Sequence, residues 1–197
     1  MTTDAYAHQF SNWLKERLDE MDATLTAVEK SAATLHAGAK SQAEKMIVEM
    51  RTQRKAFEEG IRKERHENEA ALAEVRGSLE ANWTSFEAAV QDYMTQAQLS
   101  AEQQAATFRA RAEAQRKAWE ETISALKKKA GAAAADRKRD LDAALSHLQS
   151  QADAAKAKLQ ASQKAGAESW AAFKTALQES RSAFDKASQK ALQAFAK

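Results

Sequence analysis

Along this chain of 197 residues, apolar and small side chains return at steps of three, four and four. From Leu72 the beat runs through Val75, Leu79, Trp83, Phe86, Val90, Met94, Ala97 and Ala101, then Phe108, Ala112, Gln115, Trp119, Ile123, Leu126 and Ala130. It resumes, with lapses, through Leu141, Leu145, Leu148, Ala152, Ala155, Leu159, Gly166, Trp170, Phe173, Leu177, Phe184 and Leu192, with Phe195 near the end. This is an 11-residue repeat. At about 3.67 residues per turn, such a stripe stays nearly straight or drifts slightly right-handed, whereas a strict heptad winds a left-handed supercoil. It suits a flat or gently curved apolar partner. Residues 10–61 keep the beat less cleanly, through Phe10, Trp13, Leu18, Met21, Leu25, Val28, Leu35, Met46, Met50, Phe57 and Ile61.

Two stretches lose large apolar residues: Arg62 to Ala71 and Lys127 to Asp140. They divide the chain into near thirds and predict three helices, near 4–65, 72–130 and 134–196, each about 90 Å long at about 1.5 Å per residue. The expected fold is all-α, a single elongated domain over 1–197 built as an antiparallel three-helix bundle or coiled coil. A continuous rod is the alternative, because neither gap holds a residue that forbids helix. A third candidate break lies at Gly38, followed by Ser41 and Glu44 at capping-box spacing. A loose repeat matches Trp83-Thr-Ser-Phe86-Glu-Ala-Ala89-Val90-Gln-Asp92 with Trp170-Ala-Ala-Phe173-Lys-Thr-Ala176-Leu177-Gln-Glu179, which points to duplication and a reused helix face.

Composition agrees. There is no Pro, there are five Gly, and Ala, Glu, Lys, Gln, Arg and Leu dominate, all residues that lose little freedom in a helix. Charged residues make up 29% and aromatics 7%, a balance typical of long helices. The absence of Cys excludes disulfides and thiolate metal sites. The start, Met-Thr-Thr-Asp-Ala-Tyr, shows no secretory signal, and no window approaches the roughly 20 apolar residues of a membrane span. A cytoplasmic protein is expected, with peripheral attachment to a granule, vesicle or membrane surface as the only membrane option.

Net charge is +2, but residues 1–98 carry 12 basic and 17 acidic groups while residues 99–197 carry 18 and 11. The plain interpretation is a solvated polar face; the sharper one is attraction between an acidic and a basic half.

The residues offer little chemistry. His8, His36, His66 and His147 lie far apart, with no pair at i+3 or i+4, so neither a metal nor another cofactor is expected. Asp and Glu alternate with Lys and Arg at the spacing of solvated i,i+4 pairs rather than of a buried acid and base. Phosphate loops, nucleophile elbows and dinucleotide fingerprints are absent, so no enzyme activity is expected. Lys127, Lys128, Lys129, Arg137, Lys138 and Arg139 form a basic patch that phosphates could use. Asp136, Asp140 and Asp142 dilute it and no aromatics interleave, so nucleic acid is a weak candidate partner. The strongest candidate is the stripe itself: Trp83, Phe86, Val90, Trp119, Ile123, Trp170, Phe173, Leu177 and Phe184, either as bundle core or as an interface.

The beat over residues 72–195 resembles the helices of apolipoprotein-like and phasin-like proteins, which coat lipid or polyester granules. Phe173 to Ala191 is also similar to one repeat of the gas-vesicle outer shell protein, although that family's fixed 33-residue period is not kept. These resemblances imply a coat or interaction role and transfer no site residues. The leading expectation is a structural protein that self-assembles through the stripe or coats an apolar particle, shell or membrane surface. The alternatives are a scaffold binding another helical protein and, third, a nucleic-acid-associated protein.

Overall fold

The computed structural model describes the backbone of residues 3–63, 69–131, 135–164 and 170–195, and the side chains of residues 10–62, 75–131, 138–161 and 171–194. Among the described residues all six elements are helices: α1 (Thr3–Ala32), α2 (Ala37–Lys63), α3 (Glu69–Gln96), α4 (Ala101–Gly131), α5 (Ala135–Lys164) and α6 (Trp170–Phe195). Neighbouring helices pack as a bundle. Each is about 40 to 46 Å long by its rise, half the length expected for three long helices. Total accessible surface is 10569 Å², modestly above the roughly 9200 Å² of a compact protein of this mass.

The first two expected long helices are each split once. The first breaks close to Gly38, but Ser41 and Glu44 are not its cap. His36 starts α2, its Nδ1 accepting from the Ala39 amide at 3.5 Å and its carbonyl accepting from Lys40 at 2.9 Å. The second breaks at residues 97–100, where Gln98 takes the left-handed conformation at φ 51°. Ser100 and Gln103 form a reciprocal capping box: Ser100 Oγ accepts from the Gln103 amide at 3.2 Å and Gln103 Oε1 accepts from the Ser100 amide at 2.8 Å. Of the two expected gaps, α2 runs into the first as far as Lys63 and α4 runs into the second as far as Gly131; residues 64–68 and 132–134 lie outside the described residues, as does 165–169 in the third expected helix.

The helices form two three-helix halves, α1–α3 and α4–α6. In each half the first and second helices are antiparallel, as Trp13 against Phe57 and Glu29 against Arg51 show in one, and Lys127 against Gln149 in the other. First and third helices run parallel, with the same register: Val28 meets Tyr93, Phe108 meets Phe173 and Trp119 meets Phe184. The halves superpose in sequence at a spacing of 98 residues. Phe10, Met21, Leu25, Val28 and Ala32 are buried, and so are Phe108, Trp119, Ile123, Leu126 and Ala130; Val75, Leu79 and Phe86 pair likewise with Phe173, Leu177 and Phe184. The contact of Glu29 with Arg51 recurs as Lys127 with Gln149. This corrects the match of Trp83 with Trp170, which are 87 apart. The difference, eleven residues, is one period of the stripe, so a slip of three helical turns matched almost as well as the true register.

The halves meet where α1 and α4 run antiparallel, Glu20 beside Arg111 and Ser31 beside Gln103. Gln103 also donates to Thr34 Oγ1 at 2.8 Å, tying the start of α4 to the α1–α2 turn. A pseudo-twofold axis crosses this seam near Arg17 and its counterpart Gln115. The apolar core wraps around it, with α2 covering one half and α5 the other.

Candidate functional site

The helical spacing that builds the stripe also places charge on it. On α1, Trp13, Glu16, Arg17 and Glu20 share one face at i, i+3, i+4 and i+7, and that face turns inward toward the axis. Trp83 and Glu87 of α3, Arg111 and Gln115 of α4, and Arg181 and Asp185 of α6 meet them there. Trp13, Arg17, Trp83 and Glu87 occupy the same repeat positions as Arg111, Gln115, Arg181 and Asp185. Glu16 and Glu20 have the small counterparts Ala114 and Ala118. A duplicated four-residue set thus faces its own copy across the axis.

Arg111 holds Glu20 through Nε at 2.7 Å and Nη2 at 2.5 Å, and also bonds Glu87. Arg181 bonds the same Glu20 oxygen and donates through Nε to Gln115 Oε1 at 3.0 Å. Gln115 in turn donates to Glu16, which accepts from Arg17 Nη1 at 3.1 Å. Arg111 and Glu20 have no exposed side-chain surface. Taking so many ionisable groups out of water is costly unless each charge finds a partner, which is what this mesh supplies.

Burial dominates the proton affinities. It pushes the Glu16 carboxyl up to about 7, Arg17 opposing it only in part. Burial likewise raises Asp185 despite Arg17 and Arg76. At Glu87 burial acts upward too, but Arg111 and Arg181 outweigh it and hold the carboxyl below its ordinary value. Burial lowers Arg181, and Glu20 and Glu87 offset that only in part. The cluster can therefore take up or release a proton near neutral pH at Glu16.

Aromatic rings separate the guanidiniums. Arg76 lies 5.3 Å from the Trp13 ring centroid, Arg17 lies 5.5 Å from Trp13 and 5.1 Å from Trp83, and Arg181 lies 4.8 Å from Trp83. The ladder Arg76–Trp13–Arg17–Trp83–Arg181 alternates cation and ring, a stacking that favours Arg. Arg76, Arg17, Trp83 and Arg181 of this ladder border a cleft of about 390 Å³ between α3 and α6, completed by Gln178, Ser182, Asp185, Lys186 and Gln189. On the opposite side of the axis, α1 and α4 border an open groove of about 1080 Å³ floored by Ala23, Ala27, Ala106, Ala110 and Ala114.

The expected stripe residues lie inside. Trp83, Phe86, Val90, Trp119, Ile123, Phe173, Leu177 and Phe184 are all at most 9% exposed. They pack on one another across helices: Phe108 stacks on Phe173 at 4.6 Å and Trp119 on Phe184 at 5.1 Å. Trp170 opens α6, and its side chain lies outside the described residues. Among the described residues Val48 is the one large hydrophobic side chain left exposed. The basic patch is split between helix ends. Lys127, Lys128 and Lys129 are exposed at the end of α4, where they complement the helix dipole; Lys138 and Arg139 are exposed on α5, and the Arg137 side chain lies outside the described residues. Lys127 bonds Gln149, and Arg139 sits 3.9 Å from Asp140.

The charged centre is not legible from spacing alone, because its acids and bases have the same i,i+4 separations as solvated pairs. Many pairs of that spacing are solvated: Arg116 with Glu120 and Arg76 with Glu80 lie on the outside. One signal was available, since Gln115 and its neighbours interrupt the stripe with polar groups at apolar positions. The acidic and basic halves do attract each other here, through Glu20 and Glu87 of the first and Arg111 and Arg181 of the second.

No described helix is long and apolar enough to cross a membrane, and no group of three or more described His, Asp or Glu side chains is placed to hold a metal ion. Compared with family models, curated proteins and solved structures, the chain matches none of them.

Proposed function

We propose that the protein is a non-enzymatic helical interaction protein that keeps its apolar stripe inside a closed bundle and coats an apolar particle, shell or membrane surface by parting its halves along the α1–α4 seam. The observation that carries this is the contrast between inside and outside. The stripe is buried, and among the described residues the surface offers one exposed large apolar side chain, Val48, so apolar adhesion has to draw on the interior. The seam is the suitable place to part. Its centre joins charges rather than methyl groups, and charges regain hydration when they separate, so opening there loses less than opening an apolar interface. One short joint, residues 97–100, connects the halves. Opened, the chain would be elongated, and each three-helix half, with the α1 and α4 faces uncovered, would have to spread further to display the rings that pack within it, Phe108 on Phe173 and Trp119 on Phe184.

The test bridges the seam. Lys15 of α1 and Glu121 of α4 pair at 2.8 Å on the outside; Lys15→Cys with Glu121→Cys, joined by a short bismaleimide, would lock it. The unlocked double variant should bind phosphatidylcholine vesicles or polymer particles, and the locked one should not. Equal binding by both would overturn opening as the mechanism.

A second reading, a scaffold for another helical protein or a second copy, is favoured by the α1–α4 groove, whose alanine floor lets a helix approach closely. Ala110→Arg would block such a helix without preventing opening. Loss of self-association in this variant, with vesicle binding retained, would favour this reading.

A further inference from the structure

We infer that the cleft between α3 and α6 is a binding site for a phosphate group. Arg17 forms its floor, Arg76 and Trp83 one wall, and Arg181, Ser182 and Lys186 the other. Four cationic side chains line it against one carboxylate, Asp185. The acids that compensate the centre, Glu16, Glu20 and Glu87, do not line the cleft, so its opening presents positive charge.

The second observation is Arg17 itself. Its side chain is 8% exposed, and Nη1 donates to Glu16, but the buried Nε donates to no acceptor among the described residues. Asp185 Oδ2 stands 3.9 Å from Nη2, beyond hydrogen-bond reach. A buried guanidinium short of an acceptor is costly, and an oxyanion in the cleft would offer Nη2 the close partner that Asp185, at 3.9 Å, is not. The stacked rings of Trp13 and Trp83 fix the guanidinium plane in advance, so little ordering is left to binding.

The repeat explains why the space exists on one side only. Arg76 and Gln189 hold the same repeat positions as Lys174 and Gln91. Lys174 reaches across to Gln91 at 3.3 Å and closes that side, whereas Arg76 turns along its own helix to Glu80 at 2.9 Å and leaves the cleft open. The volume, about 390 Å³, exceeds a phosphate ion and leaves room for an ester substituent against Trp83.

The phosphate could be free or part of a lipid headgroup, and the experiment separates the two. Inorganic phosphate and phosphatidic acid vesicles are titrated against the protein at ionic strength matched with sodium chloride, with phosphatidylcholine vesicles as the neutral control. Thermal stability and tryptophan emission are followed. A saturable rise in stability with inorganic phosphate supports the site as one for free phosphate. Binding to phosphatidic acid vesicles in excess of the neutral control, without a response to inorganic phosphate, assigns it to the headgroup. In either case Lys186→Glu, an exposed position, should weaken binding roughly tenfold or more. Lys117→Glu, on the opposite groove, should leave it unchanged. Absence of any phosphate-dependent response, or equal weakening by both variants, overturns the proposal.

Discussion

Glu20 and Arg111 face each other across the α1–α4 seam, Nε to Oε1 at 2.7 Å, with no solvent-exposed side-chain surface on either. Arg181 bonds the same carboxylate oxygen from α6. Glu20 thus compensates two buried guanidiniums, a task it shares with Glu87. Replacing Glu20 by Ala should leave Arg111 and Arg181 to share Glu87 alone and cost about 3 to 5 kcal/mol. Chemical denaturation would measure this, and a loss under about 1 kcal/mol would show that water already reaches the seam.

Glu16 should make stability depend on pH in the unusual direction. Its folded-state carboxyl titrates near 7, raised by burial from the ordinary 4.5. Between those values the folded chain binds more protons than the unfolded one at this site, so its contribution is present below about pH 4.5 and is lost as pH rises through 7. Glu16→Gln should remove that loss and gain on the order of 2 kcal/mol relative to the parent at pH 8 against pH 5. Denaturant midpoints of both proteins across that range give the test; parallel profiles would contradict it.

The capping box at the joint between halves should be measurable by itself. Ser100→Ala removes the acceptor of the Gln103 amide and should cost about 1 kcal/mol. Gln103→Ala should cost more, because it also frees the Ser31 carbonyl and the Thr34 hydroxyl. Equal costs would mean that the link to the α1–α2 turn contributes nothing.

Two helix-interior glycines should respond in opposite ways. A Cβ at Gly77 would meet nothing within 4 Å, so Gly77→Ala should stabilise by about 0.5 to 1 kcal/mol through helix propensity. At Gly60 a Cβ would sit 2.7 Å from Leu79 Cδ2, a buried side chain with little room to move. Gly60→Ala should lose that gain or become destabilising, and equal thermal shifts for the pair would disprove the close approach of α2 to α3.

The core assignment of the stripe predicts that Phe86→Ser or Phe173→Ser alone costs about 3 to 5 kcal/mol, since both rings are buried and a hydroxyl would gain no obvious partner. Circular dichroism with urea titration would show it. A variant of unchanged stability would mean that the ring faces solvent for much of the time.

By itself the sequence determined that the chain is helical and which face of each helix is apolar. Ala-rich composition without Pro sets the first, and the spacing from Val75 through Leu79, Trp83 and Phe86 sets the second, because propensity and periodicity are local properties. The Ser100–Gln103 cap was also legible, four residues written in the chain, although the three-helix division passed over it. What tertiary structure alone decided was which faces meet. An 11-residue beat fits any partner shifted by eleven residues, so the register of 98 rather than 87 comes from packing Phe86 and Phe184 at equivalent depths in the two halves. Burial of the Glu20, Arg111 and Arg181 charges was equally out of reach. An acid at helical spacing from a base looks the same in sequence whether water or another helix stands opposite. Only the crossing of α1 and α4, with α3 and α6 against them, removes the water and turns those charges into a site.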